Sequence, residues 1–336
     1  MRRCIKFWCI IIVLLNTSCN NQYQKINGVS FVASPNKINP INVKQVTKNN
    51  ANYVALMPFG FIKDLSSPEI IHNTDRQWFG ETEKGVVQYA EEFKKANVKL
   101  MIKPHIWVWR GEFTGNIVMK SENEWEILED SYTEFILTYA KTADFLNADI
   151  FCIGVELEQF VKNRPEYWIK LIAQIRKVYQ GKLTYAANWD EYTRTPFWKQ
   201  LDYIGIDAYF PLSDKKTPSI QEFEKGWEKH KQQINYIRNK VNKPVLFTEY
   251  GYRSVDFSGK EPWNSDRIEG NVNLKNQENA LQAIYNQFWK EDWFAGGFIW
   301  KWFHNYDKIG GVDNNRFTPQ NKPAEKILSK AYKDKN

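Results

Sequence analysis

Short apolar runs recur along the chain at residues 28–33, 53–59, 98–103, 150–156, 183–188, 203–209, 244–249 and 296–302, and longer stretches of helical periodicity separate most of them. No other feature narrows the possible folds so far. Each run has the length of a strand buried on both faces. The intervening segments are Ile41 to Asn49, Glu83 to Ala96, Glu122 to Leu146, Glu166 to Tyr179, Ile220 to Val241 and Asn276 to Trp289. They gather apolar residues on one helix face, as Ala280, Leu281, Ile284 and Phe288 do in the last. Strands joined through helices pair in parallel by right-handed crossovers, and with about eight of them the sheet closes on itself. The expected fold is therefore an α/β (β/α)8 TIM barrel. An open doubly wound sheet is the alternative, but Gly28-Val-Ser-Phe-Val-Ala-Ser-Pro stands where its Gly-x-Gly-x-x-Gly turn belongs.

One barrel of this kind uses most of a 336-residue chain. The residues ahead of it differ in kind. Arg2, Arg3 and Lys6 precede an apolar stretch from Phe7 to Leu15, followed by Asn-Thr-Ser and Cys19. This is a secretory leader pattern, too short to span a bilayer comfortably. Small residues before a cysteine resemble the lipobox of bacterial lipoproteins, with Asn16 a departure from it, and imply lipidation of Cys19. A plain cleaved leader or a stand-alone membrane anchor is the alternative. The expected organisation is a leader over 1–18, a tether over 19–25 and a single (β/α)8 domain over 26–336. The protein is then exported and lipid-anchored to a bacterial membrane, in the periplasm or at the cell surface.

Loss of the leader removes three bases and no acid, which lowers the formal charge from +7 to +4. The remaining bases are mixed with acids rather than gathered in a stripe, which argues against a nucleic-acid partner. Only Cys152 stays in the body of the chain, so no internal disulfide can form there. Its place inside an apolar run marks it as a core residue.

The longest excursions, 60–82, 104–121, 210–219 and 251–275, each follow an apolar run and so belong to the rim where a barrel builds its ligand site. Two runs end in a glutamate: Ile-Phe-Cys-Ile-Gly-Val-Glu156 and Pro-Val-Leu-Phe-Thr-Glu249. By count these are the fourth and seventh strands, whose ends face one another across a closed mouth. A protonated and an ionised carboxyl flanking one bond are what glycoside hydrolysis needs, about 5 to 5.5 Å apart when configuration is retained. Glu158 competes with Glu156, because alternation along a continued strand turns both to one side. The bland alternative is that each glutamate merely opens a loop or caps a helix. The chain also carries Trp 14, Tyr 17 and Phe 21, more rings than a core of this size needs, and flat rings with a polar edge suit stacking on sugars. His72, His105, His230 and His304 have no metal-ligand spacing and no Gly-x-Ser-x-Gly elbow is present, so neither a metal nor a cofactor is implied.

Six segments in order then make the chain resemble glycoside hydrolase family 113, within the clan of retaining (β/α)8 glycoside hydrolases. They are Lys-Pro-His (103–105), Ile-Gly-Val-Glu-Leu (153–157), Tyr-Ala-Ala-Asn-Trp-Asp (185–190), Asp-Ala-Tyr-Phe-Pro (207–211), Phe-Thr-Glu-Tyr-Gly-Tyr (247–252) and Gly-Phe-Ile-Trp-Lys-Trp (297–302). The resemblance extends over nearly all of the mature chain. It implies hydrolysis of β-1,4-mannan or manno-oligosaccharides, with Glu156 as acid/base and Glu249 as nucleophile. Many clan members carry Asn before the acid/base to hold the sugar 2-hydroxyl; Val155 stands here, so that contact passes elsewhere, with Asn188 the candidate.

Substrate contacts are expected from Lys103, His105, Asn188, Trp189, Tyr209, Trp300 and Trp302. Tyr209 either holds Glu249 or lines the rim, and one of Trp300 and Trp302 can instead be core. Trp107, Trp109 and Trp263 are candidate outer platforms. The expected partners are a poly- or oligosaccharide and the membrane, and the expected state is a monomer. Two rivals stand: the same chemistry on another β-glycan, and a non-catalytic glycan-binding lipoprotein, against which the presence of both glutamates argues.

Overall fold

The structure, a computed structural model, describes residues 24–334. The leader, Cys19 and the tether up to residue 23 lie outside the described residues.

The strands are β1 (Ile26–Phe31), β2 (Tyr53–Leu56), β3 (Phe59–Ile62), β4 (Lys99–Ile102), β5 (His105–Val108), β6 (Ile150–Val155), β7 (Lys182–Asn188), β8 (Ile204–Asp207), β9 (Val245–Tyr250) and β10 (Phe294–Trp302). All except β3 and β5 close into one parallel barrel, in the order β1-β2-β4-β6-β7-β8-β9-β10, with β10 pairing back onto β1. The helices are α1 (Pro40–Thr47), α2 (Glu83–Lys95), α3 (Glu122–Phe145), α4 (Glu158–Asn163), α5 (Pro165–Val178), α6 (Ile220–Val241), α7 (Leu274–Phe288) and α8 (Pro323–Lys333). The (β/α)8 barrel read from the apolar runs is thus the fold, and β6 and β9 are its fourth and seventh strands.

Local chemistry sets the helix ends. Ser219 accepts from the Glu222 N–H while Glu222 reaches back to the Ser219 N–H, a reciprocal cap that starts α6. Asn242 ends it in the left-handed region. Proline opens α1, α5 and α8, where its missing N–H leaves no bond unmade.

The core has two shells. Outward strand residues such as Phe151, Ile153, Leu183, Ile206 and Phe247 pack with the helices in one large apolar layer. Ile26, Ala55, Met101, Ile150, Leu246 and Phe298 form a small separate cluster that fills the barrel interior. Gly28 makes room for it, since a Cβ there would sit 2.3 Å from the Phe298 ring.

Two expectations need correction. The runs at 53–59 and 98–103 do not continue as single strands into the rim. Pro58 and Pro104 lack the N–H that would extend the ladders, so the chain restarts as β3 and β5, which pair with each other beyond the barrel. Lys103, just past the end of β4, and His105, the first residue of β5, stand on either side of that break. The short helix α4 and the C-terminal α8 were also not anticipated; α8 docks through Ala324, Leu328 and Tyr332.

Candidate active site

Both strand-end glutamates owe their direction to a break in register. Along β9, Val245 and Phe247 face the helices and Leu246 faces the interior, so strict alternation would turn residue 249 outward. The β8–β9 ladder shifts between Ile206 and Asp207, pairing Ile206 with Phe247 but Asp207 with Glu249. That extra residue brings both Thr248 and Glu249 to the interior and returns Tyr250 to the outer layer, where its hydroxyl meets Tyr285 and Tyr332. The β6–β7 ladder shifts likewise between Cys152 and Val155. Glu156 follows with φ +50°, a left-handed backbone that costs a non-glycine residue about 1 kcal/mol or more.

The centre of the site is a buried ion cluster. Lys103, with no exposed surface, donates to Glu249 Oε1 at 2.5 Å and to Asp207 Oδ1 and Oδ2 at 3.1 and 3.3 Å. Tyr209 donates to Glu249 Oε2 at 2.7 Å, and the Thr248 hydroxyl donates to Asp207 Oδ1 at 2.7 Å. Burial pushes the Asp207 carboxyl up to about 7, with the Glu249 charge adding to the rise and Lys103 opposing it. Burial also pushes Glu156 well above the ordinary carboxylate range, reinforced by the charges of Asp207 and Glu249. For Lys103 burial works against the charged form, but the two carboxylates outweigh it and the ammonium is held above the usual lysine value. His105 lies 3.8 Å from Glu249 Oε1 through an Nε2 that makes no hydrogen bond among the described residues. Burial and the Lys103 charge keep that ring neutral.

The other expected residues divide. Tyr209 holds Glu249, the first of its two readings. Trp300 is half-buried and lies nearly parallel to the His105 ring, with centroids 6.4 Å apart. Trp302 is wholly buried against Tyr306 in the outer apolar layer, so it cannot floor a sugar subsite. Lys103 is likewise out of reach of sugar hydroxyls, because both carboxylates enclose its ammonium. Asn188 ends β7 with its Oδ1 accepting from the Trp189 N–H. One face of Trp189 is covered by Trp263, stacked 5.3 Å away, which leaves Trp263 as the exposed ring of that pair. Trp107 and Trp109 are exposed on the rim, and the Arg267 guanidinium sits over Trp107 at 5.6 Å, linking the rim segments 104–121 and 251–275.

Glu158 opens α4 and is engaged by Arg194, whose Nε donates to it at 2.6 Å. It is no part of the cluster. Cys152 is buried and its thiol is pushed up to about 12 by burial, as a core residue's would be. Two acids were missed. Asp207 carries the signal used for the glutamates, a carboxylate at the carboxyl end of a strand. Glu191 sits in the turn after β7, and nothing in its local sequence distinguishes it. It is almost fully buried, and burial pushes its carboxyl up to about 8, with the bonds from Tyr185 and Asn188 pulling the other way.

A closed (β/α)8 barrel whose mouth gathers carboxyl groups around one buried lysine, with aromatic rings on its rim, is an arrangement that fits glycoside hydrolysis. The sequence pattern of Glycoside Hydrolase Family 113 matches residues 36–322, and the chain belongs to that family. Among solved structures it is similar to the family 113 β-mannanase AaManA from Alicyclobacillus acidocaldarius in complex with ManMIm, with 23% identity over 93% of this chain and 98% of that one and a TM-score of 0.81. A family 113 β-1,4-mannanase solved as a complex matches at 22% identity over 92% and 99%, with a TM-score of 0.79. A β-glucuronidase from Faecalibacterium prausnitzii shares the barrel at 14% identity over 93% of this chain and 49% of its own length, TM-score 0.61. Among curated proteins none matches the chain.

Proposed function

We propose that this glycoside hydrolase cleaves β-1,4-mannan or manno-oligosaccharides with retention of configuration, using Glu249 as nucleophile and Glu156 as acid/base. The observation that carries the reading is the contrast between the two carboxyls. Glu249 is paired with the Lys103 ammonium through one oxygen and accepts from Tyr209 through the other, which fixes its direction. Glu156 is favoured in its protonated form by burial and by its acidic neighbours. In the first step Glu249 attacks the anomeric carbon as the glycosidic bond breaks, and the Glu156 proton goes to the departing oxygen. The covalent bond then removes the Glu249 charge, which weakens the hold on the proton at Glu156. That carboxylate next takes a proton from the water that releases the sugar. His105, whose buried Nε2 makes no hydrogen bond among the described residues, Asn188 and Trp300 are the residues assigned to the sugar beside the cluster. Mannan as substrate is supported by the family and by the β-mannanase neighbours.

The test is a product assay on β-1,4-mannan, glucan and galactan with the anomer followed by NMR. Reducing ends from mannan appearing first as the β anomer are expected. The α anomer as first product overturns the retaining mechanism, and turnover confined to another glycan overturns the substrate.

We also propose export and lipid anchoring through Cys19, on the strength of the leader and the small residues before that cysteine. Expressed in a bacterium, the wild-type chain should incorporate labelled palmitate and sediment with membranes. Cys19→Ala is expected to incorporate none and to shift to the soluble fraction; retention of label by that variant excludes Cys19 as the anchor.

A further inference from the structure

Glu191 is 2% exposed and makes no ion pair among the described residues. Its Oε2 accepts from the Asn188 N–H at 3.0 Å and its Oε1 from the Tyr185 hydroxyl at 2.7 Å. That hydroxyl, itself wholly buried, accepts in turn from the Leu157 N–H at 2.6 Å. One unbroken chain thus runs from the turn after β7 to the peptide joining Glu156 to Leu157. Glu156 has its own N–H bonded to Ala186 O at 2.8 Å and its carbonyl accepting from the Thr114 hydroxyl at 3.3 Å.

A glutamate at φ +50° stays there only when its surroundings determine it, and the side chain direction follows from that backbone. Burying a carboxyl without a cation is costly, and packing alone would be served better by an apolar residue. The cost has a purpose if the carboxyl is needed as a rigid two-pronged acceptor, tying the Asn188 backbone to the Glu156 backbone.

We propose that Glu191 and Tyr185 are positioning residues that aim the Glu156 carboxyl at the departing oxygen. The proposal rests on Glu156 being the acid/base. Neither residue touches the substrate; they act through the Leu157 peptide. Proton donation by Glu156 matters most when the leaving group is a sugar alcohol and little when it is a good leaving group such as dinitrophenolate. The relay therefore has a signature that loose packing does not.

The test variant is Tyr185→Phe, which keeps the ring packed against Trp168 and Phe197 and removes only the hydroxyl. Expected is a fall in kcat/KM of roughly 10²-fold on manno-oligosaccharides, the size of effect a small misplacement of a reacting group produces, with dinitrophenyl β-mannoside unaffected. Equal losses on both substrates, or no loss on either, overturn the proposal. Glu156→Ala measured on the same pair separates the two claims: if it shows no leaving-group dependence, the acid/base assignment has failed. If it does and Tyr185→Phe does not, the relay has failed. The double variant should be no slower than Glu156→Ala alone, and a further loss places the effect of Tyr185 elsewhere.

Discussion

Glu249→Ala is expected to lower kcat/KM on β-1,4-mannan by roughly 10⁴-fold or more, about 5 kcal/mol of transition-state stabilisation, while the folded state keeps its stability. The variant removes one acceptor from Lys103 but leaves it bonded to Asp207, and it takes one charge out of a crowded acidic cluster. Glu156→Ala is expected to cost about 10² to 10⁴-fold, the range of a general acid. Glu158→Ala is expected to remain active, because its carboxyl is occupied by Arg194. Initial rates and thermal melts on purified variants check all three, and an active Glu156→Ala beside an inactive Glu158→Ala would overturn the assignment. The pH profile follows from the same geometry. The proposed mechanism requires a protonated Glu156 for its first step, and burial with its acidic neighbours raises its pKa. Activity therefore persists above the ordinary carboxylate range and is lost as pH rises through that elevated value.

The fold was legible because it depends on periodicity, and the site only partly, because it depends on departures from periodicity. The eight barrel strands follow from the apolar runs, since residues such as Phe151, Ile153 and Phe247 are buried by their neighbours whatever the details of the ladder. The direction of Glu249 does not follow. Its alternation with Phe247 points it outward, and only a one-residue shift against Asp207 turns it in. The left-handed backbone of Glu156 is equally invisible, because a single non-glycine residue at positive φ is stabilised by bonds from other segments.

Lys103 and Trp302 show the same limit from the other side. Each sits where a substrate contact belongs by address, and each is buried by partners that only the closed barrel brings near. Pro58 and Pro104 are the counter-example. They were readable as ends of strands from their missing N–H, yet the apolar residues around Pro58 hid the break at that site. Asp207 required only that the rule applied to Glu156 and Glu249 be applied to every strand.

Lys103→Met is expected to destabilise the protein by about 3 to 5 kcal/mol at neutral pH and to abolish turnover, a loss measurable by denaturant unfolding. Methionine preserves most of the side-chain volume, so the loss reports the charge. Without the ammonium, Asp207 and Glu249 face each other, buried, with Glu156 a third acid nearby. The Asp207 and Glu156 carboxyls, already raised by burial, lose the opposing Lys103 charge and rise further above their unfolded values, taking up protons. A carboxyl raised in this way makes stability greatest at acid pH, with decline as pH climbs from the unfolded value through the folded one. The deficit against wild type should therefore be smallest near pH 4 and widen toward neutrality. In the wild type the raised Lys103 contributes stability at every pH below the ordinary lysine value and gives it up only in strongly alkaline solution. Adding Asp207→Asn to Lys103→Met removes one of the two stranded carboxylates, so it should restore part of the stability at neutral pH but none of the activity. Equal stability of Lys103→Met and wild type at neutral pH would mean that the three groups do not depend on one another for burial, and would remove the basis for treating Lys103 as the centre of the site.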